Sequence, residues 1–400
     1  DLVRSRGLGD VYKRQRLYFL DAVRAFAILM MLQGHFVDTL LNPLYRDDSY
    51  IAYTIWSYFR GITAPTFFTI SGLVVLYLML KANEKGDDSV RIKKGVSRGL
   101  MLLVIGYALR IPFLSWLQGK FDTYFLVIDV LQCIGLSLLI LIGLYLLCRR
   151  NSKILSVVLL TIGCLIFLTE PLYRTLRVDS IPLFFSNYIS KANGSIFNII
   201  PWFGYVAFGG YLATIFFRKS QNEYFKVRTV SIFFGVGLVL LFFSTDILHL
   251  LYYLTNIQLF EDAANYNYLF LRLGNVFLYF GVFYLLERYM KQSIVTKIGE
   301  KTLNIYVVHF IIIYGSFTGI GLKHFWYKSL EPWEAVFGAI AFMIVVCLIV
   351  FHIGKTNAFI YNNLRRLLHL VIKPNKHSTE YDDASGEDDD EENEVEDVKN

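Results

Sequence analysis

No Walker loop, dinucleotide fingerprint or metal-ligand spacing occurs in this chain, which removes the common nucleotide-binding and zinc-enzyme classes. Cysteine is scarce. Cys133, Cys148, Cys164 and Cys347 all lie in or beside apolar segments, where they read as small buried residues and not as a disulfide framework. Charge is thin, at 18% of residues, whereas 55% are hydrophobic and the mean hydropathy is +0.46. That composition excludes an ordinary soluble domain and describes a polytopic membrane protein. No soluble domain and no internal repeat is readable, no metal site is expected, and no nucleic-acid partner is expected.

What is present is a series of ten apolar segments, at roughly 18–41, 61–80, 98–114, 122–148, 153–169, 196–217, 229–250, 266–287, 303–320 and 333–353, of bilayer-spanning length. The expected fold is all-α, an integral membrane bundle of about ten helices over residues 16–353. Aromatic residues, 16% of the chain, suit interfacial belts. Residues 51–59 read as an interfacial helix before the second span. Residues 354–373 read as an amphipathic cytoplasmic helix along the membrane surface. The tail from 374 to 400 reads as a disordered acidic end: Glu380 to Asn400 holds twelve acidic residues and one Lys. Residues 1–15 are set aside, because Asp10-Val-Tyr-Lys-Arg-Gln is what the end of a sequencing adapter encodes.

Basic residues choose the orientation. They crowd the loops around Lys81 to Arg98, Arg149 to Lys153, Arg218 to Arg228 and Arg288 to Lys301, whereas Leu251 to Asn267 has neither Lys nor Arg. Both termini are therefore expected in the cytoplasm.

The first span carries charges that a lipid-facing helix would not tolerate. Asp21, Arg24, His35 and Asp38 sit among Phe, Leu, Ile, Met and Val, and an ionisable group at membrane depth costs at least ~2.5 kcal/mol on insertion scales. At roughly 100° per residue, the step from Arg24 to His35 returns to within about 20° of the same face, and all four fall in one arc of about 100°. This stripe places Arg24 near the cytoplasmic edge and His35 about 16 Å further along.

His35 is the leading catalytic candidate, since neutral imidazole takes a proton from a hydroxyl or amine near pH 7. Asp38, one turn on, is expected to orient it. The alternative is a histidine that merely bonds a neighbouring helix; its depth and its stripe favour chemistry. Arg24 suits a phosphate or carboxylate of a donor, or an ion pair with Asp21, and both roles can hold. Arg91 and Arg98, in the Lys81 to Arg98 cluster, can steer a nucleotide-bearing donor as well as set topology. His309, Asp129, Arg272 and Asn275 are polar intrusions on the ninth, fourth and eighth spans, each readable as a substrate contact or as helix-to-helix glue. Ser71-Gly72 reads first as a notch for close helix approach, with no base beside the serine. Trp202, after Pro201, opens the sixth span at the interface and is a weaker contact candidate.

These stretches resemble a known group. Phe19-Leu-Asp-Ala-Val-Arg-Ala-Phe-Ala-Ile-Leu-Met-Met-Leu-Gln-Gly-His-Phe has an Arg and His eleven residues apart, as membrane-bound acyltransferases do. Three further stretches agree: Ala64-Pro-Thr-Phe-Phe-Thr-Ile-Ser-Gly, Pro201-Trp-Phe-Gly-Tyr-Val-Ala-Phe-Gly-Gly and Ile298-Gly-Glu-Lys-Thr-Leu-Asn-Ile-Tyr-Val-Val-His. Ala25 stands where a glycine often follows the motif arginine. The chain resembles the transmembrane acyltransferase superfamily, and within it the bacterial relatives of heparan-α-glucosaminide N-acetyltransferase, which are related to the acyltransferase 3 family.

The resemblance implies an integral protein of the bacterial cytoplasmic (inner) membrane. It implies transfer of an acetyl or other acyl group from cytoplasmic acetyl-CoA (acyl-CoA) to a sugar or glycan acceptor at the outer face. Arg24 and the basic loops would hold the donor's phosphates, and His35 would act as general base or acyl carrier. The acceptor stays open among a lipid-linked sugar, a cell-wall glycan, an exopolysaccharide and an imported amino sugar. The competing readings are a transporter of an anionic or proton-coupled solute, and a silent structural or sensing membrane protein.

Overall fold

The computed structural model describes residues 18–121, 123–178, 180–219, 224–290 and 293–371, with side chains at 219, 293 and 353–371 excepted. Among the described residues all regular secondary structure is helical, apart from one isolated bridge between Leu41 and Leu330. Residues up to Phe351 form one compact unit and those from His352 a second. The adapter-like residues 1–15 and the acidic tail 374–400 lie outside the described residues.

All ten apolar segments lie on helices, and one amphipathic helix joins them. They are α1 (Tyr18–Leu40), α2 (Ile51–Arg60), α3 (Thr63–Glu84), α4 (Ser89–Ala108), α5 (Val130–Cys148), α6 (Ser152–Leu168), α7 (Ile199–Lys219), α8 (Phe225–Thr255), α9 (Tyr268–Leu285), α10 (Thr302–Tyr314) and α11 (Pro332–Val371). The helix expected before the second span is α2, which ends at Gly61 and buries no residue. Helical backbone in α11 continues to Val371, through most of the segment expected to be a separate amphipathic helix.

Seven helical stretches are long and apolar enough to cross a membrane; α6 and α10 are shorter apolar helices. The difference from ten has local causes. The α4 helix begins at Ser89, so Arg91, Lys93, Lys94 and Arg98 stand on its first turns and not in a loop. The α10 helix stops at Tyr314, six residues before the expected end, because Gly315 turns left-handed at φ 67°. Its N–H returns to the Ile311 carbonyl at 2.8 Å, and a Cβ there would meet the Ile320 backbone at 2.4 Å.

Exposure follows membrane logic. Only 17% of the apolar window of α8 and 28% of that of α11 is buried. Val236, Phe242, Phe243, Phe337 and Leu348 are exposed. A surface of that kind is stable when hydrocarbon covers it. The interior holds α3 tightly against α7. A Cβ on Gly72 would sit 2.1 Å from the Val206 carbonyl, and one on Gly209 would sit 1.9 Å from that of Thr69. The Ser71-Gly72 notch is thus where two backbones touch, as small residues permit in membranes. Phe19 packs against Phe216, Phe280 and Tyr284, which locks the start of α1 to α7 and α9.

Candidate functional site: a two-histidine cluster behind a basic-mouthed cavity

From the polar stripe of α1, His35 faces α10. His35 Nδ1 lies 2.9 Å from the Tyr314 hydroxyl, and that oxygen also accepts from Thr39 Oγ1 at 3.4 Å. The ring of His35 stands 5.2 Å, centroid to centroid, from the ring of His309. His309 is fully buried, and neither of its nitrogens has a hydrogen-bond partner among the described residues. Its ring packs edge-on against Tyr306 at 4.9 Å. Residues 306, 309, 310 and 314 share one face of α10 at helical spacing, and of these His309 and Tyr314 meet His35 on α1.

The expected His35–Asp38 pair does not form. Asp38 is instead bound by Arg60, at the end of α2, and its backbone carbonyl takes a hydrogen bond from Arg46 Nη2 at 2.6 Å. Three-residue spacing puts Asp38 beside His35 on the surface of α1, but the carboxylate finds a cation on the adjoining helix. A full ion pair outweighs a contact to neutral imidazole.

Asp129 is also relocated. It is the N-cap of α5 and not a residue within it. Its side chain accepts from the Val130 N–H at 2.8 Å, and Gln132 Oε1 returns to its own N–H at 3.3 Å, completing a capping box. Its other oxygen holds Arg110 at 2.9 Å, with side-chain exposures of 4% for Arg110 and 9% for Asp129. Arg110 Nε and Nη1 have no partner among the described residues, and the guanidinium sits 5.0 Å from the Tyr124 ring centroid. The charges of Asp129 and Arg60 both act on His35.

Towards the Tyr18 end of α1 the same stripe lines a small cavity of about 70 Å³. Arg24 and Arg98 stand in its wall with Ser71, Thr302, Met31 and Tyr306. Five helices contribute: α1, α3, α4, α5 and α10. Arg24 lies 3.8 Å from Asp21, so the expected ion pair and the cavity-lining position coexist. Tyr306 joins the two regions, since it lines the cavity and touches His309. Ser71 reaches the cavity, and no base among the described residues hydrogen-bonds to it.

The other candidates lie elsewhere. Arg91 is exposed and does not line the cavity. Arg272 donates to the Tyr58 carbonyl at 2.8 Å and lies over the Tyr58 ring, while Asn275 accepts from the Tyr58 hydroxyl at 2.8 Å; together they pin α2 to α9. Trp202 packs between Phe68, Phe197 and Tyr205. None of these three residues lines the cavity or touches His35 or His309 among the described contacts. Sequence reasoning missed Arg110, Arg60 and Tyr314. The signal for Arg110 was available: an arginine in Ala108-Leu-Arg-Ile-Pro, at the far end of an apolar segment. Tyr314 gave none, being one of 27 tyrosines.

The fold defines a polytopic, all-helical integral membrane protein. Residues 16–257 match the family described as heparan-alpha-glucosaminide N-acetyltransferase, catalytic, which covers more than half of the chain. The chain belongs to that family, and so to a class of membrane acetyltransferases. The match includes Arg24, His35, Arg98 and Asp129; the partners of His35 on α10 lie beyond it. No curated protein matches the sequence.

Proposed function

We propose that the protein moves an acetyl group from acetyl-CoA, entering at the Arg24–Arg98 mouth, to an amine or hydroxyl of a sugar acceptor that arrives near the Leu40 end of α1. The observation that carries this reading is the place of Tyr306, which lines the cavity of Arg24 and Arg98 and packs on His309, whose ring stands beside that of His35. The basic loops favour the Tyr18 end as cytoplasmic, which puts the mouth on the side where acyl-CoA is found. Arg24 and Arg98 would hold phosphates.

At the inner end of that arm the thioester carbonyl meets His35. Nδ1 is committed to Tyr314, which leaves Nε2 with no hydrogen bond to a described residue. With Nδ1–H donating to the phenol oxygen, Nε2 carries a lone pair. It takes the proton as the acceptor oxygen or nitrogen attacks the carbonyl; the carbon–sulfur bond breaks, and the proton passes to the departing CoA sulfur. His309, buried beside His35, supplies a second imidazole near the reacting atoms, suited to hydrogen-bond the developing oxyanion.

The test is acetyl transfer from radiolabelled acetyl-CoA by purified protein in liposomes. His35→Ala is expected to keep the fold and donor binding and to lose transfer by a factor of at least about 10². Unchanged transfer in that variant would overturn the reading. Rapid acid and neutral quenches separate the two routes, since an acetyl group carried on His35 would be protein-bound and acid-labile before it reaches the acceptor.

A further inference from the structure

A second opening lies on the other flank of α1. The helices α1, α2 and α11 line a groove of about 460 Å³. Its walls include Val37, Tyr53, Trp56, Ala335, Ala339 and Met343. From Ala335 to Met343 the helix advances about 12 Å, so the groove descends from the Tyr45–Glu331 hydrogen bond at the edge of the bundle into apolar depth. The one amide in it, Gln33, accepts from Trp56 Nε1 and donates to the Met30 carbonyl at 3.0 Å. Little in this groove asks for water. Exposed Ile55, Val336 and Ile340 lie on the helices that frame it.

Trp56 is where hydrocarbon meets charge. The Arg60 guanidinium carbon lies 5.7 Å from the Trp56 ring centroid. The Arg60 stem comes within 3.4 Å of where a Gly34 Cβ would stand, and its fork engages Asp38. On a helical wheel, Gln33, Val37 and Leu41 mark the groove, His35 lies well round the helix, and Gly34 and Asp38 fall between. Arg60 therefore spans the part of α1 that separates the groove from the catalytic histidine. Its side chain is 44% exposed, and among the described residues Asp38 is the one acceptor that engages it.

We infer that this groove holds the hydrocarbon chain of a lipid-anchored acceptor, whose phosphate linkage pairs with Arg60 and whose sugar reaches round α1 to His35. A mostly apolar slot framed by exposed aliphatic side chains fits a hydrocarbon chain and not a free glycan. A half-exposed guanidinium with unengaged N–H groups fits a phosphate. The inference rests on the acyltransferase reading and names its acceptor class.

The experiment uses the full chain in phosphatidylcholine nanodiscs with a photoreactive farnesyl phosphate or the matching alcohol, and crosslinked residues are mapped by peptide mass spectrometry. The phosphate is expected to label groove residues of α1, α2 and α11 about tenfold more than the alcohol. Ala339→Trp, which fills the slot, should abolish that labelling while the protein still elutes as one species with an unshifted thermal transition. Arg60→Gln should erase the preference for phosphate. Labelling spread evenly over α8 and the outer face of α11, or labelling unchanged in Ala339→Trp, would mean bulk lipid only and overturns the inference. Capture needs no turnover. A protein that captures the probe yet transfers no acetyl group keeps the groove and loses the enzyme reading. One that acetylates a soluble sugar and captures nothing loses the groove alone.

Discussion

His35 takes its hydrogen bond from outside its own helix: Nδ1 lies 2.9 Å from the hydroxyl of Tyr314, 279 residues further along the chain. That contact fixes which ring nitrogen is available, because the partner of one imidazole nitrogen decides the state of the other. Tyr314→Phe removes the hydroxyl and keeps the ring, which also packs on Phe310 at 4.6 Å. Losing one orienting hydrogen bond of about 1.4 kcal/mol corresponds to about tenfold in rate. We expect kcat for acetyl transfer to fall by about that factor with the KM for acetyl-CoA unchanged, measured by steady-state transfer in liposomes. A matching rise in KM would show that Tyr314 instead shapes the donor cavity.

The Arg110–Asp129 pair sits at the far end of α4 and the start of α5, buried on both sides. Asp129 does two jobs there, capping α5 and neutralising Arg110. Asp129→Asn keeps most of the cap and removes the charge, stranding a buried guanidinium, and breaking such a pair costs about 3–5 kcal/mol. The expected result is a clear drop in the thermal transition in detergent. Replacing both partners, with Arg110→Met and Asp129→Leu together, should restore more stability than Asp129→Asn retains, though without the α5 cap. Activity should not return with it, since the Asp129 charge also acts on His35.

How far this site could be read from sequence depends on whether its contacts are local. The stripe Asp21, Arg24, His35, Asp38 follows from helical periodicity alone, and Arg24 and His35 do face the cavity and the histidine cluster. The positions of the apolar helices were legible for the same reason: twenty apolar residues leave the backbone few alternatives in lipid. The partners were not. Asp38 chose Arg60 over a neighbour three residues away, and His35 chose Tyr314, because side chains answer to the tertiary field and not to spacing. Helix ends were likewise hidden. The Gly315 turn and the Asp129 cap are single-residue events inside otherwise uniform apolar runs.

The contact between α3 and α7 leaves no room for a side chain at Gly72, where a Cβ would fall 2.1 Å from the Val206 carbonyl. Gly72→Ala must push the helices apart, and overpacking of that kind costs about 1–3 kcal/mol. Ser71 lines the cavity of Arg24 and Arg98 one residue away, so the shift should also widen its mouth. We expect a lower thermal transition together with a weaker affinity for CoA, read by isothermal titration. Ser71→Ala, which leaves the helix spacing intact, should change neither by more than a small amount, because a serine nucleophile has no base beside it.

Arg24 and Arg98 approach the same cavity from different helices, α1 and α4, and they differ in how they are held. Arg24 is part of an ion pair with Asp21 at 3.8 Å, with side-chain exposures of 19% and 12%. Arg98 is exposed at the cavity's edge. If both hold donor phosphates, each Arg→Gln substitution removes a charge-assisted hydrogen bond of about 1.5–3 kcal/mol, or roughly 10- to 100-fold in affinity. The loss should fall on KM for acetyl-CoA and spare the single-turnover rate at saturating donor, because neither guanidinium touches the thioester. Salt separates the two. Screening weakens an exposed contact more than a half-buried one, so raising ionic strength should erode the contribution of Arg98 first and leave that of Arg24 largely in place. Equal KM for acetyl-CoA and for acetyl-pantetheine, which lacks the nucleotide phosphates, would show that neither arginine reads the donor, and the cationic mouth would then serve topology alone.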